Sequence, residues 1–212
     1  MSHTAIVIVA RDPRGAKRRL QGALGPRDRE RLSRAMLTDV LTACRGTATD
    51  VLVVTDSDGV ARMARAFGAR VHRSAARGTR ACARIGIRVV TERGAAAVLV
   101  LPGDLPLLRT GDVRRILAAG ASDGVVVAAD RHRRGTNALL LRPPGAIEPR
   151  FGRSSFAAHL DAARQRGLRV RTPRIAGFAL DIDTPDDLRL LRRKRAVAGE
   201  RTATLLRGAG SA

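Results

Sequence analysis

The chain has 212 residues, enough for one sizeable α/β domain with a real core. With no Trp, no Tyr and only four Phe, that core must be built from Val, Leu, Ile and Ala. Forty basic residues against nineteen acidic ones leave a net charge of +21, no apolar run approaches the ~18 residues of a membrane span, and Met1 to Val9 is too short and polar-flanked for a signal peptide. Membrane proteins and secreted disulfide scaffolds are thereby excluded, and a cytoplasmic location is expected.

In chain order, Ala5–Val9 is a continuous β-branched run, as a strand covered on both faces requires. A basic loop, Arg11-Asp-Pro-Arg-Gly-Ala-Lys-Arg-Arg19, follows it. From Arg27 to Cys44 the apolar positions Leu32, Met36, Val40 and Leu37, Leu41, Cys44 recur at helical spacing. Val51–Thr55 reads as a second buried strand, Ser57–Phe67 as a helix closed by Gly68, and Ala69–His72 as a short strand. Thr79–Glu92 reads as a helix after Gly78, and Ala96–Leu101 as the strand leading to Asp104. Thr110 can cap a helix to Ala119, closed by Gly120.

Val125–Ala129 and Ala138–Leu141 are two further strands, joined by the polar loop from Asp130 to Asn137. Ser154 or Ser155 opens a helix to about Arg166, and a hairpin-like pair of short strands then leads to Asp181. Thr184, with Pro185 at the first helical position and Asp187 in the capping-box place, starts another helix. Strands alternating with helices predict a mostly parallel sheet with helices on both faces. Residues 1–196 read as one domain and 197–212 as a loose tail.

Ligands of such sheets sit beyond the carboxyl ends of the strands. Asp104 follows one such end, and Asp181 and Asp183 precede a helix start far downstream. Carboxylates meeting there can hold a divalent cation over a nucleotide's phosphates. In Pro102-Gly103-Asp104-Leu105-Pro106, Gly103 permits unusual backbone angles and Pro106 stiffens the exit. Asp181 and Asp183 alternate along an extended segment, so one can ligate metal while the other holds a loop.

The basic loop contains a single glycine and matches neither G-x-G-x-x-G nor a P-loop. It leaves Ala16-Lys17-x-Arg19-Leu20 as a cationic turn able to clamp phosphates. Gly135-Thr136-Asn137 and Phe151-Gly152-Arg153-Ser154-Ser155 offer hydroxyls and backbone amides to an anion, although a Ser N-cap explains the second equally well. The four histidines form no metal pair, and Cys44 and Cys82 read as two buried thiols.

These motifs, in this order along about nine tenths of the chain, resemble the CofC/FbiD family, the guanylyltransferases of deazaflavin coenzyme F-420 biosynthesis. The resemblance implies a three-layer, Rossmann-like nucleotidyltransferase (GT-A-like) fold. It also implies Mg2+-dependent transfer of GMP from GTP to a small phosphorylated three-carbon acid, with release of pyrophosphate. That acid is phosphoenolpyruvate, 2-phospho-L-lactate or 3-phospho-D-glycerate in different members. Carried over, it puts acceptor binding on Thr136, Gly152 and Ser155, and nucleotide binding on Arg11, Lys17, Gly78, Pro102 and Gly103. Metal binding falls on Asp104, Asp181 and Asp183, and catalysis on Lys17, Arg19 and Asp104. Arg80 stands where the family carries an amide near the base.

Two other readings stay open at this point. One is a different transferase of the same fold, such as a molybdenum-cofactor nucleotidyltransferase. The other is a nucleic-acid-binding module, resting on charge alone. The arginines are spread along the chain without stacking aromatics, which speaks against a specific nucleic-acid partner. A homodimer is compatible with everything above.

Overall fold

The structure, a computed structural model, describes residues 3–47 and 50–208. Seven strands form one sheet: β1 (Thr4–Val9), β2 (Asp50–Thr55), β3 (Arg70–Arg73), β4 (Ala97–Pro102), β5 (Gly124–Ala129), β6 (Thr136–Arg142) and β7 (Val170–Arg171). Their order is β3-β2-β1-β4-β6-β5-β7. Only β6 runs antiparallel, between β4 and β5. The sheet order reverses direction between β1 and β4, so the carboxyl ends of these two strands flank the switch point where α/β sheets bind ligands.

Strand alternation decides which residues face which helical layer. Ile6, Ile8, Leu99 and Leu101 point to one side, against Leu37, Val40 and Leu41 of α1 (Pro26–Arg45), Val60 and Ala64 of α2 (Asp58–Ala66), and Val113 and Ile116 of α4 (Thr110–Ala119). Ala5, Val7, Val98 and Val100 point to the other, against Cys82, Ala83, Val89 and Val90 of α3 (Thr79–Glu92) and Phe156, Ala162 and Ala163 of α5 (Ser155–Gln165). Both faces are covered, which is why the central strands read as unbroken apolar runs. Cys44 and Cys82 are buried, free thiols, and burial pushes that of Cys44 up to about 12.

Three expectations need correction. The stretch before Asp181 is no hairpin: the two-residue β7 pairs parallel with β5 at the sheet edge, and a 3-10 turn, Ala176–Phe178, carries the chain on. Pro173, which lacks an N–H, cannot extend a ladder there. Beyond α6 (Pro185–Arg193) the chain is not loose either. Residues Glu200–Gly208 form a helix, α7, that packs on α1, because Leu205 and Leu206 have an apolar cluster to cover. Residues 209–212 of the expected tail lie outside the described residues. Finally, Gly103 has no left-handed backbone angle. Among the described residues no helix is long and apolar enough to cross a membrane.

Candidate active site

A cleft of about 680 Å³ opens at the switch point. One wall is the loop leaving β1, from Ala10 to Arg18, and the other is Pro102-Gly103-Asp104 leaving β4. Asp56 at the end of β2, Arg77 and Thr79 before and at the start of α3, and Asp183 line it too. The two loops touch. The Gly103 N–H donates to the Val9 carbonyl at 3.1 Å, prolonging the β1–β4 pairing. A Cβ at Gly103 would stand 3.0 Å from Leu37 Cδ1 and 3.3 Å from Ala10 Cβ, so close approach rather than backbone freedom calls for glycine.

Lys17 lies at the centre of the charge arrangement. Among the described residues it is one of three non-glycine residues in the left-handed region, with φ +54°, a conformation costing about 1 kcal/mol or more that persists where the surroundings over-determine it. Its side chain is 9% exposed, and Nζ donates to Asp104 Oδ2 and, at 3.0 Å, to Asp183 Oδ1. Burial by itself pulls the amine's pKa down. The carboxylates of Asp104 and Asp183 outweigh it and hold the pKa above the ordinary lysine value. Arg19, largely exposed, reaches Asp183 at 3.8 Å.

Asp181 sits deeper. Asn137 Nδ2 donates to its Oδ1 at 3.2 Å and to the Phe178 carbonyl at 2.8 Å. Burial raises the Asp181 pKa first, and the negative charges of Asp104 and Asp183 raise it further, against the lowering by the Asn137 hydrogen bond. The three carboxylates foreseen in the sequence are therefore mutually close.

They do not form a ready metal cluster, however. Among the described residues no three His, Cys, Asp or Glu side chains are arranged to hold an ion by themselves. Asp183 is engaged by Lys17 and Arg19. What remains is Asp181 together with Asp104 Oδ1, a buried oxygen with no hydrogen-bond partner. Two carboxylates with a spare buried oxygen fit a hard divalent cation that takes its other ligands from phosphates and water.

The expected acceptor residues lie on the same edge of the sheet. Because β6 is antiparallel to β4, its first residues, Thr136 and Asn137, come level with the carboxyl end of β4. Thr136 Oγ1 lies 3.0 Å from Nδ1 of His159, which is fully buried. The Arg150 N–H donates to His159 Nε2 at 2.7 Å. The imidazole is therefore neutral with its proton on Nδ1, which donates to Thr136. Burial, helped by the Arg150 charge, lowers its pKa to about 4. Gly152 has φ +136° and is exposed, while Ser155, the first residue of α5, is buried and donates its N–H to the Gly152 carbonyl at 3.2 Å. Ser154 makes no side-chain cap, so the capping explanation for this motif fails. Thr136, Gly152 and Ser155 lie outside the lining of the large cleft, as does Gly78, whose neighbours Arg77 and Thr79 line it.

Sequence reasoning passed over three supporting residues. Asn137 stood inside a singled-out motif without a role of its own. Asp130 accepts N–H bonds from Arg134 and Gly135, both at 2.9 Å, and so shapes the loop that presents Thr136. Asp187 does more than cap α6. Besides the Thr184 N–H (2.8 Å) it accepts the Asp183 N–H (3.1 Å) and pairs with Arg131 at 2.7 Å, tying the β5–β6 loop to the Asp181–Asp183 segment. The capping motif was legible, but a partner so distant in sequence was not.

A sheet reversing at β1/β4, with acidic groups and a left-handed lysine turn at the reversal, is the fold of solved nucleotidyltransferases and nucleotide-diphospho-sugar transferases. A Desulfovibrio desulfuricans protein assigned to that transferase class superposes with a TM-score of 0.82 over 100% of this chain and 96% of its own, at 17% identity. A Mycobacterium tuberculosis protein solved with manganese gives 0.57 over 90% and 97%, at 19% identity. The family described as "Guanylyl transferase CofC like" matches residues 4–202. A phosphoenolpyruvate guanylyltransferase of Rubrobacter xylanophilus is 43% identical over 90% of this chain and 94% of its own. A 3-phospho-D-glycerate guanylyltransferase of Phenylobacterium zucineum is 35% identical over 94% of each. The chain belongs to the CofC-like guanylyl transferases.

Proposed function

We propose that this chain transfers GMP from GTP to the phosphate of a small three-carbon phospho-acid, phosphoenolpyruvate first among them, and releases pyrophosphate. Its place would be coenzyme F-420 biosynthesis in the cytoplasm, the route that the CofC family implies. The observation that carries this reading is the meeting of Lys17, Asp104 and Asp183 in the wall of the large cleft, with Asp181 close enough to feel both carboxylates, in a chain of this family. Phosphoenolpyruvate leads because the 43%-identical relative bears that name, against 35% for the one named for 3-phospho-D-glycerate.

The chemistry asks little of the protein beyond placement and charge. The nucleophile is an oxygen of the acceptor's own phosphate, whose second pKa near ~6 leaves it ionised at neutral pH. No general base is then required, which agrees with a His159 committed to Thr136 and Arg150. Thr136, Gly152 and Ser155 would orient the acceptor, the last two through the turn that opens α5. Lys17 and Arg19 would neutralise the charge building on the departing pyrophosphate. Asp104 and Asp181 would hold Mg2+, which when bound neutralises phosphate charge and orients the reacting groups. Arg11, Pro102 and Gly103, which line the cleft, would meet the nucleotide.

The test is pyrophosphate release from GTP, with ATP, CTP and UTP alongside, against phosphoenolpyruvate, 2-phospho-L-lactate and 3-phospho-D-glycerate in the presence and absence of Mg2+. Mass spectrometry identifies the product. Turnover with GTP and one acid, abolished by EDTA, is expected; no turnover with any acid would overturn the reading. Sedimentation of the same preparation reads whether the enzyme works as a homodimer.

A further inference from the structure

A third apolar cluster, separate from the two that cover the sheet, lies beneath the site. It contains Leu20, Leu32, Met36, Leu180, Ile182, Leu188 and Leu191, with Leu107, Leu205 and Leu206 packed against it. Its members are interleaved in sequence with the charged groups. Leu20 follows Lys17 and Arg19, Leu180 and Ile182 flank Asp181, Ile182 precedes Asp183, and Leu107 follows Asp104. Packing in this cluster therefore sets where three catalytic segments sit relative to one another. The cover on it is α7.

Four hydrogen bonds fasten that cover. Asp39, on α1, is buried at 6% exposure, and its two oxygens accept the Arg201 N–H at 3.0 Å and the Thr202 N–H at 2.9 Å, capping the first turn of α7 from another element. The Gly199 N–H donates to the Pro106 carbonyl at 2.7 Å, two residues from Asp104, and the Arg109 guanidinium reaches the Val197 carbonyl at 3.4 Å. A Cβ at Gly199 would come within 2.2 Å of Asp39 Cγ, so the chain crosses here at a separation only glycine allows.

We infer that the segment 197–208, clamped by Asp39 and Gly199, positions the active site: it holds the Asp104–Leu108 loop against β1 and the Asp181–Asp183 segment. Asp39 is then a positioning residue acting through Pro106 and the apolar cluster, without touching substrate. The inference deepens the guanylyltransferase reading and rests on it for its kinetic readout alone. A catalytic group displaced by about 1 Å costs on the order of 10²-fold in rate, so a loosened clamp lowers kcat with little change in the KM for GTP.

The experiment compares wild type with Asp39→Asn, Asp39→Ala and Gly199→Ala. It reads kcat and KM for GTP, and amide hydrogen exchange of residues 101–109 against β1, β2 and β5. Expected for Asp39→Ala and Gly199→Ala is a ten- to hundredfold fall in kcat, a KM within about threefold, and faster exchange confined to 101–109 and α7. Asp39→Asn, which keeps one acceptor, should recover part of the rate. Wild-type kcat in all three variants, or faster exchange spread evenly over the sheet, would overturn the inference. Should Asp39→Ala fail to fold, Asp39→Asn and Gly199→Ala decide between the same outcomes. Should wild type not turn over GTP, the functional reading has failed, and the exchange data still decide whether the clamp holds the loop.

Discussion

Acidification should act on this protein through His159. In the folded chain it is fully buried, accepts the Arg150 N–H on Nε2 and donates to Thr136 from Nδ1. Its pKa falls from 6.5 to about 4, with burial the main cause and the Arg150 charge the second. A proton added to Nε2 would face the Arg150 N–H, donor against donor, beside a guanidinium. The unfolded chain therefore binds a proton between these two pKa values that the folded chain refuses. Stability from this residue is intact above pH ~6.5 and is lost as pH falls, by about 3 kcal/mol in all, most of it by pH 4.5. Urea unfolding of wild type and His159→Gln at pH 7 and pH 4.5 measures it. The glutamine costs stability at both pH values but cannot titrate. Asp181, whose raised pKa works in the opposite direction, is common to both proteins and drops out of the difference. Wild type should lose about 2–3 kcal/mol more than the variant on acidification. An equal loss in the two proteins would refute the burial argument and the tautomer drawn from it.

Other outcomes follow from the same contacts. Lys17→Met should lower kcat by on the order of 10²–10³, read by pyrophosphate release at saturating Mg2+, since it removes a buried donor aimed at the site. Asp104→Asn should abolish turnover beyond about 10²-fold and let the Asp181 pKa fall back toward the ordinary carboxylate range, followed by carboxyl carbon NMR, because one of the charges raising it is gone. Ser155→Ala should raise the KM for the acceptor acid and leave that for GTP unchanged, measured by varying each substrate in turn. Thr202→Val should raise the unfolding free energy by about 1–2 kcal/mol in a denaturant titration, since the Thr202 hydroxyl is fully buried without a partner.

What the linear chain announced was whatever depends on neighbours in sequence. The unbroken runs Ala5–Val9 and Ala96–Leu101 read as strands covered on both faces, and the 3.6-residue stripe of α1 read as a face turned to a core. Thr184, Pro185 and Asp187 spelled a helix start that the structure contains to the atom. Asp104 and the cationic turn at Lys17 stood out because strand ends in such sheets face ligands.

Partnerships across the sheet were beyond it. That Lys17 lies between Asp104 and Asp183, leaving Asp181 and one oxygen of Asp104 for an ion, depends on where three loops arrive in space. Nothing adjacent in sequence marked Asp39 out, and only the return of residues 199–202 shows why it is buried. The physical reason is the range of the forces. Periodicity and caps are set over a few residues, whereas burial, ion pairing and pKa shifts are set by whatever the folded chain brings within a few ångströms.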